Sequence, residues 1–317
     1  MALLTPITEA EAKRLLAEYG LPLEQIEALS LGSVNSNFRL RMQNGSLFFA
    51  RIYEEQGREG AAMEVALLAG LAQMGLPVAE AVRQSNGECI ASFKGKPFAV
   101  FPWIEGTITC QSLVSSARAF KIGEALARLH VATASLPSLN PSRFGVPEIF
   151  ARLDTVLAAG GGAFDEVVED IRAKLRHYAE LRDGSLPKGV IHGDLFRDNV
   201  LWRGDELAAL LDFESASYGV FMYDLLVTVL AWCYGSKLDV ELARVMVRGY
   251  ESVRPISAEE RQGALAEGAI ACLRFATTRI TDFSLRAKPG EAPVRDFRRF
   301  LARLRALEGG ALAEFMG

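Results

Sequence analysis

Val190-Ile191-His192-Gly193-Asp194-Leu195-Phe196-Arg197-Asp198-Asn199-Val200-Leu201, followed by Leu210-Leu211-Asp212-Phe213, is the stretch on which the reading of this chain turns. An apolar strand over 189–191 runs into a polar loop, and 200–202 with 207–211 read as a hairpin turned at Gly204-Asp205. Asp194 and Asn199 stand five positions apart, which sets a carboxylate beside an amide on one loop, and Asp212 leaves a buried strand to face that loop. The set suits phosphoryl transfer, where negative charge spreads over the phosphoryl oxygens and catalysis is mostly alignment and neutralisation by a metal ion. Asn199 offers an amide oxygen and Asp212 a carboxylate, which suits a hard cation such as Mg²⁺ that keeps several waters. Asp194 is left to orient a hydroxyl and accept its proton. Asp and Asn also suit ordinary turns. Four polar positions with a trailing Asp-Phe make the chemical reading the more specific one.

Composition narrows the class. With 317 residues, half of them hydrophobic, the chain can bury a large core and form two lobes. A net charge of −4 and no Lys/Arg run argue against nucleic acid as a partner. The four cysteines (Cys89, Cys110, Cys233, Cys272) lack metal-ligand spacing, and no charged-then-apolar signal opens the sequence, so a reducing, cytoplasmic setting is expected. The longest strongly apolar run, 225–233, falls far short of the roughly 20 residues of a membrane span.

The pattern along the chain is α+β. Thr8 and Glu11 form a capping box ahead of a short helix, and strands are expected over 26–31, 38–42 and 47–53, the last two turning at Asn44-Gly45. A helical stripe covers 58–74, and strands over 88–93 and 97–103 complete a five-stranded sheet. Beyond Glu105-Gly106 helices are expected over 112–133, 164–181, 222–234, 240–252, 258–281 and from 294 to the end. The division is thus a small antiparallel-sheet N-lobe, 1–104, and a larger helical C-lobe, 105–317, with ATP in the cleft they make. Backbone groups of the crossing, at Phe101, Trp103 and Ile104, are then candidates to meet the adenine edge; a plain buried strand end is the alternative.

The first hairpin tip, Gly32-Ser33-Val34-Asn35-Ser36-Asn37, is small and polar enough to bring N–H groups and hydroxyls to phosphates, although it matches no Walker pattern. Gly32, Ser33, Asn35, Ser36 and Asn37 are therefore nucleotide candidates. Arg51 ends the third strand where a phosphate-pairing cation is required, and an arginine can grip phosphate bidentately. Glu64 is its expected ion-pair partner on the next helix, with Glu59 as competitor.

At this point the residues resemble the aminoglycoside phosphotransferase and choline kinase-like superfamily, over nearly the whole chain. The segments 32–38, 192–201 and Leu273-Arg274-Phe275-Ala276-Thr277-Thr278-Arg279-Ile280-Thr281-Asp282 look like its homoserine kinase branch. The resemblance implies a bilobal protein-kinase-like fold, Asp194 as catalytic base, Asn199 and Asp212 as Mg²⁺ ligands, His192 as a structural member of the loop, and transfer from ATP to a small hydroxyl-bearing metabolite. Homoserine is a zwitterion, so its pocket needs both signs of charge. Arg274, Arg279 and Asp282 are the candidates, with a surface ion pair between the last two as the plainer reading. An aminoglycoside would need an acidic pocket instead, and choline an aromatic cage, for which Trp202, Tyr223, Trp232 and Tyr234 are available. His130 is expected to pack or hydrogen-bond beneath the loop and not to act as a base.

Overall fold

The structure, a computed structural model, describes residues 4–29, 34–134, 142–159, 162–285 and 295–317. The chain divides into two compact units, one holding the residues up to Thr107 with Leu201–Glu214, the other Ile108–Val200 with Ser215–Gly317.

In the first unit α1 (Glu9–Ala17) carries the expected capping box, with Thr8 accepting from the Glu11 N–H and the Glu11 carboxylate accepting from Thr8. Five strands follow, β1 (Leu23–Leu29), β2 (Ser36–Met42), β3 (Leu47–Ile52), β4 (Ile90–Phe93) and β5 (Lys96–Pro102), with α2 (Arg58–Gln73) between β3 and β4. They form one antiparallel sheet in the order β1-β2-β3-β5-β4. One face buries Phe38, Leu40, Ile52, Phe98 and Val100 with Leu16 and Tyr19. Because side chains alternate along a strand, Asn37 and Arg51, cross-strand partners, share the other face. The hairpin of β7 (Val200–Arg203) and β8 (Glu206–Leu210) ends in Asp212, in the left-handed region at φ 61°. A non-glycine residue held there stores strain, and such positions gather at functional sites.

The second unit is helical. It holds α3 (Ser116–Thr133), α4 (Val146–Ala159), α5 (Asp165–Glu180), α6 (Phe221–Trp232), α7 (Val240–Glu251), α8 (Ala258–Arg279), α9 (Arg298–Ala306) and α10 (Leu312–Met316), with β6 (Lys188–Ile191) paired antiparallel to β9 (Ser217–Val220). The helix expected from 112 starts at Ser116, because the Ser115 hydroxyl accepts from the Arg118 N–H and caps it there. The last expected helix begins at Arg298, and Val294 lies outside the described residues. Two elements escaped the sequence reading. Helix α4 buries Ile149, Leu153 and Val156 at legible helical spacing; β9, four residues long, exists through its pairing with β6 alone. Helix α8 runs into a π turn over Ile280–Ser284.

Helices α3 and α7 approach through glycines. A Cβ on Gly123 would fall 2.0 Å from the Met246 carbonyl oxygen, and one on Gly249 2.1 Å from that of Phe120. Both obstacles are backbone, so a methyl group must push the helices apart. Gly249→Ala is expected to destabilise the protein by about 1–3 kcal/mol despite alanine's better helix propensity. A lower urea midpoint at unchanged slope is the measurement, and an unchanged or raised midpoint would refute the close approach.

Candidate active site

In the helical unit the loop after β6 is held from beneath. The Asp224 carboxylate, fully buried in α6, accepts the backbone N–H groups of His192 (2.7 Å) and Gly193 (2.8 Å). It also lies 3.1 Å from Nε2 of His130 on α3, whose Nδ1 is 2.7 Å from the Tyr250 hydroxyl of α7. Burial pushes the His130 pKa down; at Asp224 burial acts to raise the pKa, but the hydrogen bonds from His130 and the Gly193 N–H hold it below the ordinary carboxylate range. The imidazole is therefore neutral, Nε2–H donates to the carboxylate, and Nδ1 accepts from Tyr250. Farther along, the Trp232 indole N–H donates to the Leu195 carbonyl at 2.9 Å and Arg197 donates to that of Ala231.

That frame fixes the predicted residues of the loop. The Asn199 side-chain N–H donates to the Asp194 carbonyl (2.8 Å), a bond that does not use the amide oxygen. The Asp194 N–H donates to His192 Nδ1 at 3.3 Å, so His192, buried, is structural as expected. The Asp194 carboxylate is 31% exposed, with Arg274 Nη1 3.8 Å from Oδ1.

In the strand-rich unit Arg51 meets its expected partner Glu64 and three further neighbours. Its Nη1 lies 3.3 Å from Glu64 and 3.4 Å from Asp212, Nε donates to Asn37 at 3.3 Å, and the Phe49 ring stands 5.7 Å from the guanidinium carbon. Glu64, buried, takes the pair and Glu59 stays exposed. Burial pushes the Glu64 pKa up to about 7 against the pull of Arg51. Arg51, although burial opposes its charge, is held charged by Asp212 and Glu64.

The first hairpin tip is only partly visible. Gly32 and Ser33 lie outside the described residues. Asn35 is buried, donating to Glu214 at 2.9 Å and accepting from the Glu54 N–H at 3.1 Å. Ser36 points the other way: its fully buried hydroxyl donates to Glu54, whose carboxylate also accepts from Thr5 and Lys96. Burial would raise the Glu54 pKa, yet the donors Lys96, Ser36 and Thr5 hold it below its ordinary value of 4.5. A depressed carboxyl contributes stability that is full above its unfolded pKa and is lost as pH falls through the folded one. Glu54→Gln is accordingly expected to cost about 1–3 kcal/mol at pH 7, with a gap to wild type that closes below pH ~4, read by urea unfolding across pH. A gap that does not change with pH would remove the charge from this network.

Phe101 is buried in β5, the Trp103 N–H donates to the Leu47 carbonyl at 3.2 Å, and Ile104 is half-buried. Arg39 stands over the Trp103 ring.

The three acceptor candidates separate. Arg274 is buried, its Nη1 donating to the Gly193 carbonyl at 3.0 Å. Arg279 turns to the Asp296 carbonyl (2.9 Å) and the Phe300 ring, so it forms no pair with Asp282. Asp282, 38% exposed, meets Arg152 at 3.4 Å. Trp202, Tyr223, Trp232 and Tyr234 are all buried, and none offers an open ring for a quaternary ammonium. Sequence reasoning missed Asp224 and Tyr250 outright. The signal for Asp224 was present: it is the sole ionisable carboxylate in Phe221–Trp232, a helix otherwise apolar enough to be buried along its whole length. Nothing local marked Tyr250.

The phosphotransferase enzyme family profile matches residues 25–266. The homoserine kinase of Methylocella silvestris is 32% identical over 296 residues, covering 89% of this chain and 88% of the relative. That of Brucella abortus is 30% identical over 287 residues, covering 89% and 87%. Among solved structures, a spectinomycin phosphotransferase in complex with ADP and spectinomycin matches with TM-score 0.69 over 99% of each chain at 12% identity. An amicoumacin kinase in complex with AMP-PNP and Ca²⁺ matches with TM-score 0.67 at 15% identity, covering 97% of this chain and 94% of that one. The chain belongs to the phosphotransferase enzyme family and is a small-molecule kinase.

Proposed function

We propose that the protein transfers the γ-phosphoryl group of ATP to the side-chain hydroxyl of L-homoserine, giving O-phospho-L-homoserine for threonine biosynthesis in the cytoplasm. The observation that carries this reading is the agreement along 89% of the chain with relatives named homoserine kinase. In the reaction the homoserine oxygen forms a bond to the γ-phosphorus, the bond from that phosphorus to the ADP oxygen breaks, and the hydroxyl proton goes to Asp194.

The donor set suits Mg²⁺, since Asn199 spends its amide nitrogen on a carbonyl and keeps its oxygen, and Asp212 adds a carboxylate. Bound there, the ion would neutralise phosphate charge. Arg51, steadied by Glu64 and Asn37, would grip a phosphate. Phe101, Trp103 and Ile104 would supply backbone to the adenine. Asp282 beside Arg152 offers a zwitterion both signs of charge.

The test is a coupled ADP-release assay of the purified protein with Mg-ATP and homoserine, choline, aminopropanol or kanamycin. Homoserine is expected to lead in kcat/KM by roughly 10² or more. Equal or better use of another acceptor would end this assignment.

A further inference from the structure

We propose that Arg274 is the positioning residue of the catalytic loop, holding the peptide that precedes Asp194 so that its carboxylate meets the acceptor hydroxyl. The inference rests on the reading of Asp194 as proton acceptor.

Gly193 is gripped from both ends. Its N–H donates to the Asp224 carboxylate at 2.8 Å, and its carbonyl accepts from Arg274 Nη1 at 3.0 Å. A charged group thus holds the residue on each side, and charge-assisted bonds are about twice as strong as neutral ones. The backbone they hold has φ +73°, which glycine adopts at no steric cost, so its orientation depends on the two bonds and not on the dihedral. The same guanidinium stands 3.8 Å from Asp194 Oδ1.

Arg274 has little freedom to do otherwise. It is 3% exposed, and its guanidinium carbon lies 4.1 Å from the Phe144 ring centroid and 3.8 Å from that of Phe275. Its Nε is buried without a hydrogen-bond partner. A buried cation with a donor to spare is costly, and packing alone would be better served by an apolar side chain. Its rigid fork, fixed among rings, is suited to setting an orientation. The competing role for such an arginine is to anchor the acceptor's α-carboxylate.

The two roles differ in which kinetic constant they govern. Full-length Arg274→Met, Arg274→Lys and Arg274→Ala are assayed with Mg-ATP and homoserine, and with the aminopropanol that lacks only homoserine's carboxylate. Arg274→Met is expected to lower kcat roughly 10²-fold on both acceptors while KM for ATP and for each acceptor stays within about threefold. Added guanidinium ion is expected to restore part of the kcat of Arg274→Ala. Should Arg274→Met not fold, the same split is read on Arg274→Lys, which keeps the charge but loses the fork. A kcat within about threefold of wild type overturns the proposal. So does a loss confined to the KM for homoserine and absent with aminopropanol, which would make Arg274 a carboxylate anchor. If the wild type uses aminopropanol and not homoserine, the acceptor assignment fails while the Arg274 comparison proceeds on aminopropanol.

Discussion

Replacing Asp194 by Asn is expected to lower kcat by roughly 10² to 10⁴, the range for losing a positioned proton acceptor, with nucleotide affinity and thermal midpoint close to wild type. The structure separates the two effects. What holds the loop is bonded to main-chain atoms: Asp224 to the N–H groups of His192 and Gly193, Asn199 to the Asp194 carbonyl, Trp232 to the Leu195 carbonyl. None of these uses the Asp194 carboxylate, so an isosteric amide leaves the frame standing. Its carboxylate is 31% exposed and stands 3.8 Å from Arg274, a long ion pair with little folding energy to lose. Steady-state kinetics with a thermal melt on the same sample decide the matter. Turnover near the wild-type rate would strip Asp194 of its assigned role.

Asp224→Ala has the opposite signature. Three donors converge on this fully buried carboxylate, two backbone N–H groups and the His130 imidazole, and truncation orphans all of them. The expected cost is about 3–5 kcal/mol of stability, and kcat falls with the loop that Asp224 supports. The pH dependence carries a sign of its own. His130, held neutral by burial, resists protonation, so stability is expected to fall as pH drops below the ordinary histidine value of 6.5. Asp224, whose folded pKa is depressed, adds a second loss at lower pH, below its unfolded value near 3.8. Both act in one direction, and the His130 part of the acid slope should vanish in His130→Gln. Urea midpoints for wild type and both variants from pH ~2 to ~8 measure this. A midpoint of Asp224→Ala equal to wild type would mean the loop does not depend on the buried carboxylate.

How much of this was legible along the chain depends on the range of the interaction involved. Arg51 with Glu64 could be read because a strand end and the helix that follows it are neighbours in sequence, and helical phase selects Glu64 over Glu59 once the helix docks. Ser36 and Asn37 were read together as one polar tip. Strand alternation sends them to opposite faces, Asn37 to Arg51 and Ser36 to Glu54. Arg279 and Asp282 share a helical face on paper, but the π turn after α8 and the cation–π pull of Phe300 part them.

The sequence alone determined the class of chemistry, because Asp194, Asn199 and Asp212 at their set spacings are local facts that survive any packing. It also determined the sheet and most helices, through hydrophobic period and caps. Tertiary structure decided what stands behind that chemistry. Asp224 and Arg274 reach the loop from helices remote in sequence while Tyr250 braces His130 behind Asp224, and a buried charge reveals its purpose only when its partners are in place, since burial without them would be too costly to keep.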